Sequence, residues 1–338
     1  MAYKVLMTAF MPGMPLEEEI ITNAGAELEK NLIFTEDEII ENARDADGII
    51  AGTTVQPFTR RVIENLTKCR IIANLGIGYD KLDLEAATDH GICATNVPDY
   101  CLGELSDTTM LLILALARKL MITTAAVKEG KWFTNLQDRQ MLMPMYRIQG
   151  QTLGLIGLGR IARTLVPKAR SLGLKVIAYD PYIPPEVAKG LGVEPVDLER
   201  LLKESDFVSI HAHLTKENER MIGLDQLKMM KPTAYLVNTA RGQMVDQQAL
   251  YTALTEGLIA GAGLDVMDPE PPNPDDPLLK LDNLIATGHS AQLSEDAEAE
   301  MWRRPLEEVA SVLKGEWPRA WLNPEVKEKF ITRWGSMK

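Results

Sequence analysis

Three side chains able to hold an anion and move a proton recur in the last third of this chain, each shortly after an apolar run. Arg241 lies in Asn238-Thr239-Ala240-Arg241-Gly242, Glu270 in Asp265-Val266-Met267-Asp268-Pro269-Glu270-Pro271-Pro272, and His289 in Ala286-Thr287-Gly288-His289-Ser290-Ala291. Histidine titrates near working pH, so His289 is suited to take a hydroxyl proton as a base and to return it as an acid. A neighbouring Glu270 carboxylate would fix its tautomer and raise its pKa. The planar fork of Arg241 matches a carboxylate through two parallel hydrogen bonds. Taken singly, each has a plainer reading: a surface ion-pair arginine, a solvated acidic loop, a turn histidine. The prolines around Glu270 restrict the backbone and favour a loop of set shape. His90, His211 and His213 fall in a turn or around a strand end and read as structural. No cysteine or carboxylate spacing accompanies them, so no metal site is expected.

A second group of residues points to a bound dinucleotide. Gly157-Leu158-Gly159-Arg160-Ile161-Ala162 follows the apolar run Thr152–Ile156 and opens a helical stretch, the context that a pyrophosphate-binding turn requires. Gly157 permits the tight turn, Gly159 lets the backbone approach the phosphates, and the helix N-terminus supplies free N–H groups. Ala162 stands in the third glycine position and still allows close packing. The discriminating residue is Asp180, which ends the next apolar run at the offset of roughly 20 residues expected for a carboxylate that binds ribose hydroxyls. Such a carboxylate repels a 2′-phosphate, which favours NAD over NADP. The plainer reading of Asp180 is a turn residue before Pro181.

These residues need strand ends to present them, and the chain offers two series. Strands are expected at Lys4–Ala9, Gly48–Ala51, Arg70–Leu75 and Ile92–Asn96, with helices over Glu17–Ala24 and Glu36–Ala43. A second series of six runs through Thr152–Ile156, Lys175–Tyr179, Phe207–Ile210, Ala234–Asn238, Ile259–Leu264 and Leu284–Ala286. Strands alternating with helices imply an α/β protein with parallel sheets, the second series as a doubly wound domain. Glu104–Leu120 is apolar on most faces and reads as one buried helix. Lys131–Arg147, with Trp132, Phe133 and Met141-Leu142-Met143-Pro144-Met145, has no period and is long for a connection. Its methionines suit adaptable apolar contact between subunits. The helical segment Glu295–Leu313 is expected to return to the first domain, with a cleft between the lobes.

Composition narrows the function classes. At 338 residues the chain can hold two domains, and 46% apolar with 25% charged residues indicates a folded, water-soluble protein. A formal charge of -12 and the lack of a basic run argue against nucleic acid and anionic membranes. Met1 to Phe10 lacks the features of a secretory signal, Pro12 follows at once, and the apolar run Met110 to Ala117 is far shorter than the roughly 20 residues a membrane span needs. A cytoplasmic protein is expected. Cys69, Cys93 and Cys101 form no disulfide framework and read as buried thiols, although Cys101 near a helix start is conceivable as a reactive one.

Taken in order, Gly157-Leu158-Gly159-Arg160-Ile161, Asn238-Thr239-Ala240-Arg241-Gly242, the Asp265 to Pro272 segment and Gly288-His289-Ser290-Ala291 make the chain resemble the D-isomer-specific 2-hydroxyacid dehydrogenases over essentially its full length. The resemblance implies an enzyme moving a hydride between NAD(H) and a small 2-hydroxy acid or 2-keto acid, with Arg241, Glu270 and His289 as the catalytic set. It implies a Rossmann NAD domain over 99–291, a discontinuous flavodoxin-like substrate domain over 1–98 and 292–338, and a homodimer. It places the amides of Ile77 and Gly78, in Asn74-Leu75-Gly76-Ile77-Gly78-Tyr79-Asp80, on the substrate carboxylate. It puts Asp265, Thr239 and Ala240 near the cofactor. Gly288 stands where the family usually has proline, and His213 departs in the same way. The stretch Ser290 to Glu295, with Pro98-Asp99-Tyr100-Cys101, resembles the C-terminal-binding-protein-like branch. An NAD(H)-sensing interaction protein is therefore the rival reading. A phosphite or formate dehydrogenase is a further alternative, although a formate enzyme would carry glutamine at Glu270.

Overall fold

The computed structural model describes residues 2–10, 13, 16–140 and 142–337, so Met1, Pro12 and Met141 of the readings above lie outside the described residues. The chain divides into two compact units, Met1–Tyr100 with Ser294–Lys338, and Cys101–Leu293.

The first unit is built on five parallel strands, β1 (Tyr3–Met7), β2 (Ala26–Lys30), β3 (Gly48–Ala51), β4 (Ile71–Asn74) and β5 (Cys93–Thr95), in the order β2-β1-β3-β4-β5. β3, β4 and β5 are buried at every position, as strands covered on both faces must be, and this is why they read as continuous apolar runs. β2 escaped the sequence reading because its Ala-Glu-Leu-Glu-Lys lies on the sheet edge with only Ala26 buried. The helix expected over Glu17–Ala24 is shorter, Glu19–Thr22. Helix Glu36–Ala43 is started by a capping box in which the Thr35 hydroxyl accepts from the Glu38 amide. Helix Glu295–Leu313 covers the sheet, its Trp302, Leu306 and Val309 sharing a core with Val5, Ile50 and Ile71. The approach is close enough that a Cβ on Gly48 would lie 2.8 Å from a Val309 methyl.

The second unit holds seven parallel strands: β6 (Thr152–Ile156), β7 (Lys175–Tyr179), β8 (Glu194–Pro195), β9 (Phe207–Ile210), β10 (Tyr235–Asn238), β11 (Gly261–Leu264) and β12 (Leu284–Ala286). Their order is β12-β11-β10-β9-β6-β7-β8. The chain starts in the middle at β6, runs outward to β8, then crosses back to β9 and runs outward the other way. Ligands of such sheets bind beyond the strand carboxyl ends, where the order reverses. Six strands were expected here; the seventh, β8, spans two residues and has no length over which a period can be read.

The single buried helix expected over Glu104–Leu120 is instead two. Leu102–Ala117 packs Leu112, Ile113 and Leu116 with Leu153 and Val237 beneath the sheet, yet leaves Leu111 exposed. It stops where Lys119 takes a left-handed φ of +49°, and Leu120–Lys128 follows with no buried residue. Beyond it, Lys131–Arg147 carries a short helix, Leu136–Gln140, and exposes Trp132, Leu136 and Met143. Among the described residues no single helix is long and apolar enough to cross a membrane. The pair Leu102–Ala117 and Leu120–Lys128 has that composition jointly but bends by 64° at Lys119.

Candidate active site

The turn after β6 is shaped by one glycine. Gly157 has φ +92°, and a Cβ there would stand 2.8 Å from the amide nitrogen of Ala212 and the carbonyl carbon of His211, backbone atoms that follow β9. Only glycine fits both the angle and the space. Two residues on, a Cβ on Gly159 would meet nothing within 4 Å, so open space faces the start of helix Arg160–Ser171. Arg160 is exposed and Ile161 half-buried at its first turn, while Ala162 is buried beneath. Asp180, just past β7, is held in place by two amides: Leu158 N–H donates to its Oδ2 at 2.8 Å and Tyr182 N–H to its Oδ1 at 2.9 Å. A cradle that a side chain would fill, an open helix N-terminus and a fixed carboxylate fit a dinucleotide with a free ribose 2′-hydroxyl.

The other half of the edge carries the titratable groups. After β10, the Asn238 side chain ties the turn, its Nδ2 donating to the Arg241 carbonyl at 2.8 Å and its Oδ1 accepting from the Ala240 amide at 3.0 Å. Thr239 Oγ1 lies 3.0 Å from Thr109 Oγ1. Gly242 is packed so closely against the Met267 carbonyl that a Cβ would clash with it, 2.0 Å from its oxygen, which brings the loop after β10 onto the loop after β11. In that second loop Glu270 Oε1 accepts from the Met267 amide at 3.0 Å, and Glu270 Oε2 meets His289 Nδ1 at 2.8 Å.

Asp265, 2% exposed at the end of β11, organises the loop that carries His289. Its Oδ1 accepts from the Thr287 hydroxyl at 2.5 Å and the Ser290 amide at 2.9 Å, its Oδ2 from the Ala291 amide at 3.1 Å, and its carbonyl from the His289 amide at 2.8 Å. His289 itself has φ +52°, a left-handed conformation that costs a non-glycine residue about 1–2 kcal/mol. These bonds hold it there.

The charges couple in the expected sense. The hydrogen bond to Glu270 raises the His289 pKa above its ordinary value, against partial burial and the nearby Arg241 charge, both of which lower it. Burial works to raise the Glu270 carboxyl, but the bond with His289, the imidazolium charge, the Met267 amide and Arg241 together hold it below its usual range. The side chains remain 46% and 36% exposed. With Nδ1 engaged by Glu270, His289 keeps Nε2 for a ligand.

In the first unit, Ile77 and Gly78 follow β4 in a loop whose carbonyls are occupied. Asn74 Nδ2 donates to the Gly76 and Gly78 carbonyls at 3.1 and 2.7 Å, and Asn96 Nδ2 to the Ile77 carbonyl at 2.7 Å. Among the described residues the amides of Ile77 and Gly78 meet no acceptor. His90, His211 and the thiols are engaged or buried elsewhere. His211 contacts Ser209 Oγ at 2.9 Å, and burial pushes its pKa down to about 4, leaving it neutral. His90 Nδ1 lies 2.9 Å from the Ala86 carbonyl. Burial pushes the Cys69 and Cys93 thiols up to about 12, and Cys101 is buried at a helix start. Among the described residues no group of His, Cys, Asp or Glu could hold a metal ion. Sequence reasoning did not find the parts played by Thr287, Asn238 and Thr109. Thr287 and Asn238 stand in the motifs that carry His289 and Arg241, the one signal available for them.

A doubly wound sheet with a glycine cradle at its reversal point and an imidazole–carboxylate pair on the same edge defines a dinucleotide-dependent oxidoreductase. The sequence profile for "D-isomer specific 2-hydroxyacid dehydrogenase, NAD binding domain" matches residues 110–291. The chain is 43% identical to a glyoxylate reductase of Korarchaeum cryptofilum over 85% of its own length and 86% of that protein. It is 42% identical to a D-3-phosphoglycerate dehydrogenase of Methanocaldococcus jannaschii over 89% of its own length and 57% of that protein. Its fold is similar to the crystal structure of a glyoxylate reductase from Paecilomyes thermophila, with TM-score 0.84 and 26% identity over 96% of this chain and 99% of the other. The chain belongs to the D-isomer specific 2-hydroxyacid dehydrogenase family of NAD-dependent oxidoreductases.

Proposed function

We propose that this enzyme interconverts a small 2-hydroxy acid and its 2-keto acid, with His289 as the proton donor and acceptor. The observation that carries this reading is the 2.8 Å contact between His289 Nδ1 and Glu270 Oε2, which leaves Nε2 as the proton-bearing atom. Glu270 sets the imidazole pKa, Arg241 holds substrate through its guanidinium, and the amides of Ile77 and Gly78 are available to a carboxylate. Gly157, Gly159, Arg160 and Ile161 would hold the pyrophosphate, Asp180 the ribose, and Thr239, Ala240 and Asp265 the nicotinamide end. When bound, NAD(H) supplies or takes the hydride.

Two variants test the assignment together. His289→Gln keeps a polar side chain without the titrating group, and reduction of the best 2-keto acid should slow by about 10²–10⁴-fold while NADH binding, read by fluorescence titration, persists. Reduction needs the protonated imidazole, and Glu270 raises its pKa. In Glu270→Gln the proton is therefore lost at lower pH, and the alkaline limit of fast reduction should move down. A His289→Gln enzyme working at the wild-type rate would sink the assignment and favour the NAD(H)-sensing reading.

The same reading includes a homodimer. It is supported by the apolar Leu120, Met121 and Val127 of the uncovered helix Leu120–Lys128 and by the exposed Trp132, Leu136 and Met143 that follow. Sedimentation should show a dimer at micromolar concentration. A stable monomer would overturn it.

A further inference from the structure

The two relatives named above divide on one chemical point: by their names, one acts on glyoxylate, which has no side chain, and the other on a phosphorylated acid. The first unit bears on that choice. The segments leaving the carboxyl ends of its five strands are residues 8–18, 31–35, 52–59, 75–83 and 96–101. They contain five acidic residues, Glu17, Glu18, Asp80, Asp83 and Asp99, and a single basic one, Lys81. Lys81 Nζ donates to the Val55 carbonyl at 3.0 Å, and its amide donates to the Thr53 carbonyl at 2.9 Å. Arg304, which reaches this edge from helix Glu295–Leu313, is engaged by Asp99 at 2.6 Å and Glu300 at 3.2 Å.

The edge instead shows apolar side chains: Phe34 is 66% exposed and Val55 62%. Val55 sits in the loop bonded to the one that carries Ile77 and Gly78, because Asn74 Oδ1 accepts from both the amide and the hydroxyl of Thr53, at 2.9 and 2.7 Å. A phosphate monoester carries about -1.5 to -2 charges at pH 7 and is recognised by arginine clusters or free helix N-termini. Two more cations border it, Lys30 held by Glu18 at 2.5 Å and Arg60 held by Asp89 at 3.1 Å and Asp83 at 3.9 Å, so each cation named here is already engaged by a carboxylate or a carbonyl and none is spare for a dianion.

We propose that the substrate is a 2-keto acid whose tail beyond the carbonyl is uncharged, and that Val55 is a specificity-determining residue for that tail. The proposal rests on the reading that the Ile77 and Gly78 amides receive the carboxylate. The test compares kcat/KM for NADH-dependent reduction of glyoxylate, hydroxypyruvate and 2-oxobutyrate with that of 3-phosphohydroxypyruvate. The best unphosphorylated acid should exceed the phosphorylated one by at least about tenfold, because the phosphate would find no unengaged cation on this edge. Val55→Arg places one guanidinium on the loop and should raise the ratio of phosphorylated to unphosphorylated turnover by about tenfold or more. Equal or better use of 3-phosphohydroxypyruvate by the wild type overturns this inference alone. Reduction of none of the four acids overturns it together with the reading beneath it. A Val55→Arg ratio that stays at the wild-type value removes Val55 from the proposal.

Discussion

Two glycines on the same sheet edge do opposite things. Gly157 is locked: its φ is +92°, and backbone atoms just beyond the neighbouring strand β9 lie 2.8 Å from where a Cβ would be. Gly288, directly before His289, has nothing within 4 Å of its Cβ position and no left-handed φ. The first glycine is required by the place where two backbones meet at the sheet's reversal point. The second is a position where the surroundings do not demand glycine at all. The cofactor side of this edge is thus defined by backbone packed without spare room, and the proton-transfer side by side chains standing half in solvent and held by hydrogen bonds.

The same substitution at both positions should therefore have opposite signs. The larger effect is expected for Gly157→Ala. Alanine at φ +92° is strained by about 1–3 kcal/mol, and its methyl can be relieved only by moving the turn, so NADH affinity should fall more than tenfold and the melting temperature should drop. Fluorescence titration and thermal denaturation measure both. The smaller effect is expected for Gly288→Ala. The methyl has room, and the unfolded chain loses freedom, so stability should rise by about 0.4–1 kcal/mol, read from denaturant midpoints. A Gly288→Ala protein destabilised as much as Gly157→Ala would erase the distinction between the two sides.

How much was legible follows from what each element is made of. The strands β3, β6, β7 and β9 could be bounded from the residues, since buried parallel strands read as unbroken apolar runs, and β12, a partly exposed edge strand, by its short apolar Leu-Ile-Ala. β2 was hidden by its glutamates, which are tolerated on an edge, and β8 by its length. The break at Lys119 left no mark either, because Ala117-Arg118-Lys119-Leu120 are all good helix formers and the left-handed turn arises at an otherwise ordinary lysine. In the candidate site, Arg241, Glu270 and His289 could be picked out because each follows a strand and has the right chemistry. Their distances could not. The contact of Glu270 with His289 depends on Gly242 meeting the Met267 carbonyl, and the setting of His289 depends on a buried carboxylate 24 residues earlier in the chain.

That carboxylate has a mechanical meaning. A short rigid body is immobilised only when it is pinned at three points that do not lie on one line. Asp265 supplies three pins to the segment 287–291 from one side chain, at the Thr287 hydroxyl and at the amides of Ser290 and Ala291, with its own carbonyl adding a fourth at the His289 amide. The imidazole is thereby left essentially one kind of freedom, rotation about its own side-chain bonds, and Glu270 takes most of that away. The loop behaves as a bracket bolted to the end of β11, and its alignment is inherited from the sheet.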